Sequence, residues 1–300
     1  MAERISFYEH ISANKWKSNL LIFLVIGMII FIGYLIGIFF IGVIPGITLA
    51  IIFGIIFSLI GYYLGDSIIL KTAGAKEVNV KTHAHLWHTV EGLSIAAGIP
   101  MRKIYVVDDT AINAFATGRD YKHSSVTVTT GALSKLNRQE LEGVIGHELS
   151  HIKNYDVRVM MLTTILVGVV VLLSDFFLRS FLFSSGDREE RGNANVVLII
   201  IAIVFALLTP IVGELMKLAI SRKREYLADA NGALLTRYPE GLASALRKIR
   251  DDKEALVEAA NKATAALWIE NPLRNRKAMF KSLFNTHPDI NDRIKKLENM

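Results

Sequence analysis

Between Ser18 and Gly65 the chain contains no Asp, Glu, Lys or Arg, and its apolar residues follow one another without the alternation of a strand. Pro45-Gly46 interrupts the stretch near its middle. The pattern predicts two membrane helices, Leu20 to Ile41 and Ile47 to Leu64, joined by a tight turn. At about 1.5 Å per residue, each comes close to the roughly 20 residues that cross a bilayer. A second apolar segment directly after the first marks a retained anchor, not a cleaved signal peptide. A third apolar stretch runs from Val159 to Ser174 and a fourth from Gly192 to Gly213, with the charged Asp187-Arg188-Glu189-Glu190-Arg191 between them. The fourth is long enough to span. The third would cover only about 24 Å as a helix. Asp175 and Arg179 follow it at i,i+4, a spacing that lets the two pair at the membrane exit.

The remaining segments mix polar and apolar positions. His83 to Ala97 reads as a helix. Lys103 to Asp108, Ala114 to Thr117 and the alternating Val126-Thr127-Val128-Thr129 read as strands of a small sheet. A further helix starts at Asn137, an N-cap residue with Glu140 three positions on, and carries a buried stripe of Leu141, Val144, Ile145, Leu149 and Ile152. Past Glu214 the chain is again of mixed polarity, helical through Ala230, then from Glu240 to Arg250 and at the charged C-terminus. The expected organisation is therefore a membrane hairpin (1–70), a first soluble part (71–157), a second membrane hairpin (158–214) and a second soluble part (215–300).

Composition agrees with a membrane location. The chain of 300 residues is 52% hydrophobic, and its mean hydropathy is +0.38, so part of its apolar surface must face lipid. A formal charge of +6 could attract nucleic acid, but no basic run is interleaved with aromatics, and no nucleic-acid partner is expected. The cations flank the apolar segments instead. Arg4, Lys15 and Lys17 precede the first, and Lys71, Lys76 and Lys81 follow the second, which places both flanks in the cytoplasm. The absence of cysteine excludes disulfides, thiolate metal ligands and thiol nucleophiles.

A metal here needs His, Asp or Glu, and the predicted helix from Asn137 supplies them in His147-Glu148-Leu149-Ser150-His151. Residues four apart stack on one helix face, so His147 and His151 can bind one ion while Glu148 lies beside it. A catalytic zinc keeps three protein ligands and one open position for water, and it brings that water's pKa near 7, where a carboxylate can take its proton. Glu148 is the candidate general base. Gly143 and Gly146 would let another helix approach closely. The third ligand is best sought in Ser221-Arg222-Lys223-Arg224-Glu225-Tyr226-Leu227-Ala228-Asp229, where Glu225 and Asp229 share a face. Glu225 would bind the metal. Asp229 would accept the distal N–H of His147 or His151 and fix its tautomer.

Four motifs occur in order: Asn113-Ala114-Phe115-Ala116-Thr117-Gly118, the His147–His151 segment, Glu225 through Asp229, and Thr286-His287-Pro288-Asp289 with Arg293. In these, and in its two apolar hairpins, nearly the whole chain resembles the HtpX family of membrane zinc metalloproteases, distant relatives of the CAAX prenyl proteases. The resemblance implies one zinc ion per chain, a cytoplasm-facing catalytic domain, and polypeptide substrates among damaged or misfolded membrane proteins. It makes Asn113, Ala114, Phe115, Ala116 and Thr117 an edge strand on which a substrate peptide adds as another strand. His287 becomes a candidate donor to the developing oxyanion, with Arg293 as its neighbour or substitute. The expected fold class is α+β: a multi-pass helical membrane protein of the bacterial-type inner (plasma) membrane, with a mainly helical, zincin-like catalytic domain containing a small β-sheet. A dedicated processing peptidase, an intramembrane protease and a scaffold or transporter with structural zinc are the competing readings. The polar residues Asn137 to Glu140 and Lys153 to Asp156 oppose an intramembrane site, and an intact Glu148 opposes a scaffold.

Overall fold

The computed structural model describes residues 7–168, 222–252, 254, 267–269 and 288–300. The rest of the third apolar stretch, the whole of the fourth, Asp175, Arg179 and His287 lie outside the described residues. The chain opens with α1 (Phe7–Ile36), a π-helical turn (Gly37–Ile41) and α2 (Val43–Thr72). Ile11–Tyr34 and Val43–Thr72 are long and apolar enough to cross a membrane. They leave Phe23, Ile44, Leu49, Phe53 and Leu64 exposed, a surface suited to lipid and costly in water.

The turn between these helices falls in the expected gap between Ile41 and Ile47, at its first residue and not at Pro45-Gly46. The chain reverses at Gly42, whose φ of 91° is open to glycine. Pro45 sits in the first turn of α2, where its missing N–H leaves no hydrogen bond unmade. Gly46 serves the helix crossing: a Cβ there would lie 2.5 Å from the carbonyl oxygen of Gly33. Gly46, Ala50, Gly54, Gly61 and Gly65 are the buried small residues of α2. The last two face Met161 and Ile165 of α6, the helix that begins at residue 156 and is described to 168. Small residues at such spacing let helices meet closely without a hydrophobic force between them.

The soluble segments form β1 (Lys76–Glu77), α3 (Ala84–Ala97), β2 (Lys103–Val107), β3 (Ala114–Asp120), β4 (His123–Thr129), α4 (Thr130–Lys135) and α5 (Arg138–Lys153). After α6 come α7 (Arg222–Thr236), α8 (Pro239–Asp251) and α9 (Ile290–Glu298). The sheet order is β1-β2-β4-β3, with β2 and β4 parallel and the other pairs antiparallel. β3 is thus an edge strand. β1 and α4 are additions to the sequence reading, because two exposed residues and a six-residue helix carry no periodicity to detect.

The sheet separates the membrane anchor from the site-bearing helices. Ile104, Val106, Ala114, Ala116, Val126 and Val128 form one face and pack with α3, α5 and α8 through Leu86, Val90, Val144, Ile145, Leu149 and Leu246. Val107 and Phe115, on the other face, pack with Ile69 and Leu70 of α2, Met160 and Met161 of α6, and Trp268. The alternation of strand side chains accomplishes this two-sided burial.

Candidate metal centre

α5 begins at a complete capping box. The Asn137 side chain accepts from the Glu140 backbone N–H (3.0 Å), and the Glu140 carboxylate accepts from the Asn137 N–H (2.7 Å). Glu140 also receives Ser244 and Lys248 of α8 at 2.7 Å each. The helix crosses its neighbours at glycines. A Cβ on Gly143 would come within 2.6 Å of the Leu242 nitrogen, and a Cβ on Gly232 within 2.9 Å of the His147 nitrogen. This second contact holds α7 against α5 at the height of His147, with Glu225 two turns earlier on α7.

The resulting cluster is closed. His147, His151 and Glu225 are buried, and their ligand atoms all lie within 4.8 Å of one another. The two Nε2 atoms are 3.1 Å apart, and the rings stand at 88°. Glu225 oxygens lie 3.8 Å from Nε2 of His147 and 3.5 Å from Nε2 of His151. Each ring has a carboxylate on its far side: Asp229 Oδ1 is 2.9 Å from Nδ1 of His147, and Asp156 Oδ2 is 3.0 Å from Nδ1 of His151. A neutral imidazole donating from Nδ1 presents a lone pair at Nε2. Two such lone pairs and a carboxylate oxygen then converge on one point, an arrangement suited to holding a cation, a metal ion or a proton. Tetrahedral bonds of about 2.0–2.1 Å put neighbouring ligand atoms roughly 3.3 Å apart, so the donor set fits a metal ion.

Arg293 extends the support inward. Fully buried, it donates to both Asp229 oxygens, from Nε at 2.9 Å and from Nη2 at 2.7 Å, and from Nη1 to the Ile269 carbonyl at 3.1 Å. Its Nη1 is 3.7 Å from Glu225. Burial alone would raise the Asp229 carboxyl, but the charge and hydrogen bonds of Arg293, together with His147, hold it down at about 2. Burial opposes the charged form of His151, yet the hydrogen bond to Asp156 and the charges of Glu225, Asp156 and Glu148 hold its pKa up at about 9 in the metal-free protein. Glu148 is buried beside the cluster, and that burial raises its carboxyl above the usual range despite the two imidazoles.

The sequence-predicted residues therefore fall into two groups. His147, Glu148, His151, Glu225, Asp229 and Arg293 meet at one point. Asn113, Ala114, Phe115, Ala116 and Thr117 lie in and just before β3 on the sheet's edge, all buried. In the antiparallel alternation, Thr129 N–H donates to the Asn113 carbonyl, so Ala114 and Ala116 turn their backbone groups outward. The Ala114 carbonyl already accepts from Ile269 N–H at 3.0 Å, and Trp268 packs edge-on against Phe115 at 4.6 Å. The sequence reading did not include Asp156, Trp268 or Ile269. Asp156, five positions after His151, is a carboxylate that spacing could have flagged; the other two have no local signature. Apart from this cluster, His88 of α3 pairs with Glu91 at 3.1 Å.

A buried His-His-Glu cluster, a carboxylate beside it and an apolar helical hairpin define a membrane-associated metalloprotease. The chain belongs to peptidase family M48, whose pattern residues 81–300 match. Over 295 residues it is 48% identical to the protease HtpX homolog of Dictyoglomus thermophilum, an overlap of 98% of this chain and 95% of the relative. It is 40% identical over 301 residues to the protease HtpX homolog of Thermoanaerobacter pseudethanolicus, covering 99% of each. The fold is similar to that in the crystal structure of S. mikatae Ste24p, with a TM-score of 0.53 at 19% identity over 97% of this chain and 67% of that one.

Proposed function

We propose that the chain is a zinc endopeptidase of membrane-protein quality control, acting at the cytoplasmic face of a bacterial-type inner membrane. The observation that carries this reading is the buried cluster of His147, His151 and Glu225 with Glu148 on the same helix. Two imidazoles and one carboxylate favour zinc over calcium or magnesium, which take oxygen ligands. When bound, zinc supplies the Lewis acidity that polarises a carbonyl and makes water nucleophilic at neutral pH. Glu148 accepts the proton of the attacking water and returns it to the leaving amine, and a carboxyl raised by burial is suited to both transfers. Asp229 and Asp156 keep the Nδ1 protons of the two imidazoles in place. Arg293 acts through Asp229 as a positioning residue.

In this reading a substrate peptide adds to the β3 edge along Asn113 to Thr117. With the Ala114 carbonyl engaged by Ile269, the next outward groups are those of Ala116. Recognition through backbone tolerates varied side chains, which suits misfolded substrates. The lysines flanking the first hairpin favour a cytoplasmic catalytic domain, assembled from 71–157 and 215–300 around a second hairpin in 158–214.

The test is Glu148→Gln in the purified full-length protein. Metal content should stay at that of the native chain while cleavage of an unfolded polypeptide falls by at least about 10²–10⁴-fold. Retained cleavage would remove Glu148 as the base. Trapping with this inactive variant should capture many misfolded membrane proteins; a single partner would indicate dedicated processing.

A further inference from the structure

The turn that follows α5 is held by the first membrane helix. Tyr155 adopts φ 61°, a left-handed conformation that is costly for a bulky side chain. The conformation starts α6 at once, so that Asp156 returns onto His151. Two consecutive residues of α1 grip this turn. Asn14, only 3% exposed, donates to the Asn154 carbonyl at 2.9 Å and to Asp156 Oδ1 at 2.8 Å. The Lys15 ammonium lies 4.7 Å from the centre of the Tyr155 ring. Arg224, one residue before Glu225, donates to Asn14 Oδ1 at 3.3 Å and to Asp156 Oδ1 at 3.4 Å. Asn14 thus touches both ligand-bearing segments across 140 and 210 residues of sequence.

We propose that Asn14 is a positioning residue of the metal centre: by fixing Asp156, it orients the imidazole of His151, making the start of the first membrane helix a structural part of the site. The inference rests on the reading of His147, His151 and Glu225 as metal ligands. One Asp156 oxygen faces His151, and the other faces Asn14 and Arg224, so the carboxylate can aim at the imidazole only while both sides are engaged. Its amide also ties the Asn154 carbonyl, which fixes the backbone of the strained turn. A lipid-exposed asparagine would be costly on an apolar helix; here the amide is buried and fully used.

The test measures the zinc dissociation constant of the full-length protein in detergent by competition with a chromophoric chelator. Asn14→Leu should weaken zinc binding about 10- to 100-fold, the usual effect of removing an outer partner of a ligand. Asn14→Ser, smaller and less disruptive, should weaken it in the same direction. Phe23→Leu, on the exposed side of the same helix, should not. The decisive comparison is with Asp156→Asn: if Asn14 acts through Asp156, Asn14→Leu should add almost nothing in that background, whereas a general structural role would add its full effect. Unchanged affinity in both Asn14 variants, or additive losses, would overturn the proposal. Failure of the unaltered chain to bind zinc would instead overturn the metal-centre reading on which it rests.

Discussion

Arg293 and Asp229 show how much of the site depends on charges that never meet solvent. The guanidinium is fully buried and makes a two-point contact with the carboxylate, which in turn holds His147. Arg293→Met would leave Asp229 buried without its cation. It should cost about 3–5 kcal/mol of stability, read as a lowered denaturant midpoint, and should also loosen metal binding. Asp229→Asn keeps the volume and removes the charge; metal affinity should fall about 10–100-fold in a chelator competition with the fold retained. At this scale the sequence was legible where spacing along one helix determines proximity. His147, Glu148 and His151 follow from 3.6 residues per turn, and Glu225 with Asp229 from the same rule. It was less legible for the contacts of Asp156. A carboxylate beyond a helix end turns back onto that helix only because Tyr155 takes a positive φ and α1 packs behind it, and neither has a local pattern.

Single elements carry the spacing of the site. The α5–α7 contact is close because Gly146 and Gly232 face each other, and a Cβ on Gly232 would meet the His147 backbone nitrogen at 2.9 Å. Gly232→Ala should therefore push α7 outward, cost about 1–3 kcal/mol in thermal unfolding, and weaken metal binding by displacing Glu225. The start of α5 has a pH signature. Burial would raise the Glu140 carboxyl, but Lys248, the Asn137 N–H and Ser244 bring it below its usual value. A carboxyl depressed by folding contributes stability above its unfolded pKa of about 4.3, and that contribution is lost as pH falls through the lower folded value. The unfolding midpoints of the native chain and Glu140→Gln should therefore differ at pH 6 and converge as pH drops below about 4. The capping box was readable from Asn137 and Glu140, whereas the reach of Lys248 and Ser244 was not, since both come from a helix some hundred residues on. The position of the hairpin turn has a physical lesson too. Proline and glycine mark turns most often, but in a hairpin of two apolar helices the glycine is worth more at the crossing, and the chain reverses one turn earlier.

In the whole molecule the sheet has the membrane anchor on one face and the site-bearing helices on the other, with Asn14 reaching across. Chelation of the metal should abolish cleavage and lower the unfolding midpoint of the whole chain, because an ion bound only by the native state stabilises it by mass action. Zinc should restore both, and magnesium neither. The broad plan of anchor, small sheet and helices was legible because hydrophobic patterning reports burial and lipid exposure. The joining of distant segments was not, because pairing across more than a hundred residues leaves no local period. The edge strand β3 bears on how copies of the chain behave together. An open edge beside a membrane would template β-pairing between neighbouring molecules, crowded in two dimensions, and so invite aggregation. Ile269, bonded to the Ala114 carbonyl, and Trp268, packed edge-on against Phe115, occupy one end of that edge. With Asn113 to Thr117 all buried, that edge offers no open run for another folded copy to zip onto.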